Sequence, residues 1–279
     1  VSFEAADTTE ALLDPAHDAF AMTWRRMTHQ DLSEQICGLP DAGSRCRRSL
    51  IFGGPHVADW IYPYFVFLHI LLFVAWLGGD IGVFILGQHF RKRDYPLETR
   101  FTLLRLLVLN DMAPRTAWAL MVPVSVTMVV LGRWAALPGW LIAASWVVGG
   151  VWLGLVWTAY LHDQTPLAQR LRRVEFWLKV ALTAAYAALT AAGAAGVLAM
   201  PGWLTAKAGL FALIFAFAIM IDVAFKAAAP HLQRLVAEGS KEEIELPLRR
   251  AMDRTRVWVL VLYALLVVTA GLGTIKPVF

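Results

Sequence analysis

Charge is scarce in this chain. Asp, Glu, Lys and Arg make up 16% of its 279 residues and hydrophobic residues 58%, whereas charged residues alone account for about a quarter of a soluble globular domain. That balance excludes an ordinary water-soluble fold. Histidine is equally thin where it would matter: His69 is the only one deep within an apolar stretch, while His56, His89, His162 and His231 fall at or beyond stretch ends and His17 and His29 precede them. A haem held by two histidines at mid-depth is therefore disfavoured for a single copy. The two cysteines, Cys37 and Cys46, both precede the apolar region; they either close a short disulfide loop in an oxidising compartment or stand as unpaired thiols. Repeated Met-x-x-Met pairs are absent, which weakens copper passage through soft ligands, and no inverted repeat or interrupted helix pair marks a carrier.

What the chain does have is six long apolar stretches, running roughly from Trp60 to Gln88, Ala117 to Leu131, Trp140 to Leu161, Phe176 to Met200, Trp203 to Phe225 and Val257 to Ile275. Most reach the roughly 20 residues that cross about 30 Å of hydrocarbon at 1.5 Å per residue; the second extends backward through Pro114 toward Leu109. The expected fold class is all-α, a polytopic membrane bundle of six transmembrane helices spanning residues 58–279 after a polar N-terminal extension, 1–57.

Lys and Arg fall on alternate connections. Arg91, Lys92, Arg93, Arg100, Arg105 and Arg115 follow the first stretch; Arg170, Arg172 and Arg173 follow the third; Lys226, Arg234, Lys241, Arg249, Arg250, Arg254 and Arg256 follow the fifth; the second and fourth connections hold only Arg133. The positive-inside rule then puts the odd connections in the cytoplasm and both termini on the non-cytoplasmic side, as in a multi-pass protein of a bacterial-type inner membrane. The net charge of +4 has this topological explanation, so no nucleic-acid partner is implied. The lipid bilayer is the expected partner.

The extension, with eight acidic residues and five arginines, lacks an apolar core of signal-peptide length and is expected to be partly disordered. Trp60, Trp134, Trp140 and Trp203 mark one interface and Trp157 and Trp177 the other, as amphipathic rings prefer. The small-residue run from Thr183 to Gly196 suits close helix approach.

Chemistry inside hydrocarbon is expected from the few ionisable residues there, since an unpaired charge at that depth is costly. His69 shares one helix face with Trp76, seven residues on, and Asp80, eleven on; it is either a metal or haem ligand or a partner in an interhelical hydrogen bond. Asp80 and Asp222 lie about 28 to 30 Å down their helices, near the level of Lys179. These three form a polar intramembrane cluster serving a proton or cation path, or else they snorkel to headgroups. Lys207, in the same half as His69, meets an anionic group or snorkels.

The run His69-Ile70-Leu71-Leu72-Phe73-Val74-Ala75-Trp76-Leu77-Gly78-Gly79 resembles the His, six residues, Trp, then small-residue pattern in the first span of the integral-membrane protoporphyrinogen oxidase family and in a span of copper-resistance D-type membrane proteins. Trp203-Leu204-Thr205-Ala206-Lys207 is similar to the Trp-x-x-x-Lys entry to a later helix in both groups, and Lys276-Pro277 to the lysine-proline ending of the oxidase family. The match covers the first and the last two spans. Two further spans intervene, and Thr205 stands where those families carry a histidine. The resemblance implies haem b at His69, with Trp76 and Lys207 beside it, in the non-cytoplasmic half. The expected function is redox or electron transfer, the protein acting as a membrane oxidoreductase with a redox partner or as a homo-oligomer. The iron would be five-coordinate or shared with Met128 or Met200. An ion transporter, for copper or proton-coupled, and a non-catalytic membrane anchor subunit are the alternatives.

Overall fold

A computed structural model describes residues 57 to 278; apart from Val57, the N-terminal extension and its two cysteines lie outside the described residues. Seven helices follow one another: α1 (Val57–Phe90), α2 (Leu97–Leu131), α3 (Trp140–Leu161), α4 (Pro166–Ala194), α5 (Gly202–Lys226), the short α6 (Ala229–Glu238) and α7 (Glu242–Ile275). All but α6 are long and apolar enough to cross a membrane, and no strand is present among the described residues. The protein is an all-α polytopic helix bundle. Helices are the spanning solution here because each satisfies its own backbone hydrogen bonds where water is missing.

Apolar side chains cover both faces of the wall. Ile70, Val74, Val147, Val151, Val267 and Val268 point outward with more than half their surface exposed, while Val124, Ile214 and Phe215 are fully enclosed. Outward valine and isoleucine belong against acyl chains. Neighbours pack in the order α1, α2, α3, α4, α5, α7, and the Tyr263 hydroxyl of α7 donates to the Asp80 carbonyl of α1 at 2.6 Å, closing the ring.

The second span differs from its expected extent. Instead of beginning near Leu109 or Ala117, α2 is helical from Leu97, so Arg100, Arg105, Asp111 and Arg115 ride on a helix and not in a loop. Charge locates the end of the apolar layer, but it does not end a helix, and acid-to-base spacings of four residues favour helix. This helix is also the central one: 56% of its apolar window is buried, against 28% or less for the other five.

Pro114 and Pro123 lie inside α2, each removing one backbone bond and freeing the carbonyl four residues earlier. Each also meets a glycine of a flanking helix. A Cβ on Gly79 of α1 would stand 2.7 Å from Pro114 Cδ, and one on Gly149 of α3 would stand 2.8 Å from Pro123 Cγ and 3.1 Å from the freed Ala119 carbonyl. The missing side chains let both neighbours close on α2, the small-residue logic of membrane helix pairs. Asn110 Nδ2 adds a hydrogen bond to the Gly79 carbonyl at 2.7 Å.

At the end carrying the basic connections, hereafter the basic end, the helices run past the apolar layer into a second hydrophobic cluster built from Phe90, Ala228, Leu235, Ile244 and Leu248. Arg100 is locked within it. Its guanidinium donates to both Glu245 oxygens at 2.5 and 3.1 Å and to the Phe90 carbonyl at 2.8 Å, and Ser240 Oγ donates to Glu245 at 2.8 Å. Both charged side chains are 1% exposed. In the α3–α4 connection, partial burial that would raise the Asp163 carboxyl is outweighed by hydrogen bonds from Arg172 and Gln164, which hold it below the usual carboxylate range.

Candidate functional site

Three layers stack along the bundle. The middle one is aromatic. Trp118 of α2 stacks on Trp76 of α1 at 5.4 Å between centroids and meets Trp152 of α3 and Phe215 of α5, each at 4.9 Å. Tyr186 of α4 packs on Phe211 and Phe215. Trp76, expected beside a cofactor, is 3% exposed, its ring flanked by Trp118 and Phe211. It separates the layers above and below it. The indole nitrogen of Trp118 is buried and has no hydrogen-bond partner among the described residues.

On the side away from the basic end lies His69, seven residues and about 10 Å along α1 from Trp76. Its Nδ1 faces the Ser125 hydroxyl of α2 at 3.4 Å, and Lys207 of α5 stands within electrostatic reach. Lys207 lies along α7 where Gly273 has no side chain, and it in turn feels Lys276. Lys276 rests 4.5 Å from the Trp134 centroid and 5.8 Å from that of Trp203, the two indoles meeting edge to face at 5.1 Å. Trp203 is consequently buried, unlike Trp60 and Trp140, which stay two-thirds exposed. Neither lysine forms an ion pair among the described residues. Met128 is part of the buried core, and the Met200 sulfur lies against Gly193 of α4.

Below the aromatic layer is a charge network. Lys179 Nζ bridges Glu175 at 3.0 Å and Asp222 at 2.9 Å and lies 5.4 Å from the Trp118 centroid. Trp152 Nε1 donates to Glu175 at 3.4 Å. Arg115 pairs with Asp111 at 2.5 Å and stands within electrostatic reach of Glu175 and Asp222. Asp80 faces Asp111 and Arg115 yet makes no salt bridge among the described residues. Asp80, Lys179 and Asp222 thus occupy one network, but only the last two touch. Asp111, Arg115 and Glu175 were not singled out from sequence, although the Asp111–Arg115 and Glu175–Lys179 spacings of four residues were a legible signal.

The network contains four carboxyl groups and two bases. Lys179 and Glu175 are 3% and 6% exposed, a degree of burial at which unbalanced charge is expensive. Full ionisation would leave two negative charges in excess, although Asp111, Asp222 and Arg115 keep 27%, 31% and 39% of their side-chain surface exposed, where water screens part of that excess.

Among the described residues no three His, Cys, Asp or Glu side chains gather as a metal site. No family model, curated protein or solved structure matches this chain.

Proposed function

We propose that the chain is a haem b-binding integral membrane protein with a redox or electron-transfer role, the iron held by His69 and the propionates by Lys207 and Lys276. The observation that carries this reading is a convergence. Motif residues far apart in sequence fall in one half of the bundle: Lys207 of α5 stands within electrostatic reach of His69 of α1 and of Lys276 at the end of α7. The residues fit the group. A porphyrin supplies four nitrogens to its iron and asks the protein for as little as one axial ligand, so the lone histidine suffices where a bare metal ion would find too few donors. With Nδ1 facing the Ser125 hydroxyl at 3.4 Å, Nε2 is the ring nitrogen that would take the metal, and Ser125 would be the partner that orients the ring. Two lysines that form no ion pair among the described residues suit two carboxylates. Bound haem would supply one-electron chemistry; the chain orients it, and the Trp76–Trp118 layer closes its apolar side from the charge network beneath.

By the positive-inside rule the basic end faces the cytoplasm of a bacterial-type inner membrane and both termini face away from it. A redox partner, or a second copy of the chain, would exchange electrons at that far side.

A second reading, proton-coupled transport, is favoured by the surplus of two carboxyl groups in the charge network. An absorption spectrum of the detergent-purified full chain, taken beside a proton-uptake assay in vesicles, separates the two. A Soret band that disappears in His69→Ala and persists in Asp80→Asn supports the haem reading. A colourless protein whose vesicles take up protons in an Asp80-dependent manner overturns it in favour of transport.

A further inference from the structure

At the basic end, the last turn of α1, the turn that follows it and one face of α7 border an open hollow of about 540 Å³. Five cations line it, Arg91, Lys92, Arg93, Arg249 and Arg256, against a single carboxylate, Asp94. Arg249, Asp253 and Arg256 recur at offsets of four and seven along α7 and so project from one face. Asp253 is already engaged, paired with Arg91, whose guanidinium also donates to Gln88 at 3.3 Å. This anchors Arg91 at the rim, 12% exposed, with its Nε buried and unpartnered among the described residues. Lys92, Arg93, Arg249 and Arg256 form no ion pair among the described residues, and Lys92 turns toward the Tyr95 ring at 5.9 Å.

Lys92, Arg93, Arg249 and Arg256 are exposed, and four like charges around one concavity raise a positive potential that attracts an anion. The positive-inside rule accounts for basic residues at this end, but not for their convergence from two chain segments 155 or more residues apart onto one hollow, roughly from residue 94 to residue 249. Arginine forks match the oxygens of a phosphate group in twos, and basic pockets between spanning helices are a recurrent way to hold a phosphorylated headgroup. The hollow lies at the basic end, beyond the charge network, where the helices run past their apolar stretches.

We propose that this hollow binds a phosphate-bearing anion, presented either by the headgroup of an anionic phospholipid or by a soluble phosphate compound. Its arginines, not the net charge of the surface, give it selectivity.

The test uses the purified full chain in neutral detergent, titrated separately with phosphatidylglycerol in mixed micelles, phosphatidylcholine in mixed micelles, and inorganic pyrophosphate, with binding read by calorimetry. Phosphatidylglycerol binding without competition from pyrophosphate identifies the lipid source; pyrophosphate binding identifies the soluble one. In either case Arg249→Gln with Arg256→Gln weakens binding about a hundredfold, roughly tenfold for each lost charge-assisted contact. The comparison is Arg250→Gln with Arg254→Gln, which removes the same charge from exposed positions outside the hollow and leaves binding within about twofold. Equal losses in the two double variants, or no preference of the unaltered chain for either phosphate ligand over phosphatidylcholine, overturn the proposal.

Discussion

Replacing Glu245 with alanine removes both carboxylate oxygens that hold Arg100 and leaves a guanidinium, 1% exposed, with only the Phe90 carbonyl at 2.8 Å and the Phe90 ring at 5.1 Å as partners. Breaking a buried pair from one side costs about 3–5 kcal/mol, because the remaining charge stays desolvated. The loss falls on the cap at the basic end, whose small core joins α6 and the first turns of α7 to the end of α1. The cap therefore opens locally before the bundle does. Hydrogen exchange of amides between residues 229 and 252, in detergent, is expected to accelerate about a hundred- to several-thousandfold in Glu245→Ala. The double change Arg100→Met with Glu245→Leu removes both charges, and apolar replacement of a whole buried pair is often neutral or stabilising, so exchange returns close to that of the unaltered chain. Unchanged exchange in Glu245→Ala refutes the reasoning, as does a double variant that is as labile as the single one.

Two further expectations follow from the bundle. Lys179→Met strands Glu175 and Asp222 without their shared cation and is expected to lower resistance to unfolding by sodium dodecyl sulfate by about 3–5 kcal/mol; adding Glu175→Gln recovers part of the loss, and no recovery speaks against the network as described. Gly79→Leu forces a side chain against Pro114, where a Cβ alone would come to 2.7 Å, and is expected to cost about 1–3 kcal/mol as an overpacked contact, measured in the same titration; a fully tolerated leucine would show that α1 and α2 do not close there.

The bundle was legible because spanning is a local property. Twenty apolar residues specify a transmembrane helix whatever surrounds them, and each of the six stretches falls largely within a long helix, although α2, α4 and α7 begin well before their stretches and α4 ends at Ala194, short of Met200. The error in α2 has the same origin: Arg100 and Arg105 lie before the apolar run and were assigned to the connection, although the helix continues through them to Leu97. The cap at the basic end was illegible, since its mean hydropathy is unremarkable and Arg100 looks like any topology-setting arginine.

The candidate site was legible in part. His69, Lys207, Asp80, Lys179 and Asp222 stand out because ionisable residues are rare in hydrocarbon. Nothing along the chain said that Ser125 faces His69, that Lys276 and Trp203 meet over Trp134, or that Asp111, Arg115 and Glu175 complete the charge network. Trp203 and Trp60 read alike as interface anchors, yet one is buried and the other exposed.

Hydrophobicity accumulates residue by residue, so the chain alone determined that this is a membrane bundle, where its spans run, and which few side chains would be costly in its interior. Partnership depends on where helices cross. Arg100 and Glu245 are 145 residues apart and Asp80 and Tyr263 183 apart, and only the packing of the helices, with glycines facing prolines on either side of α2 and tryptophans filling the middle, decided which charges are paired and which stand without an ion-pair partner among the described residues.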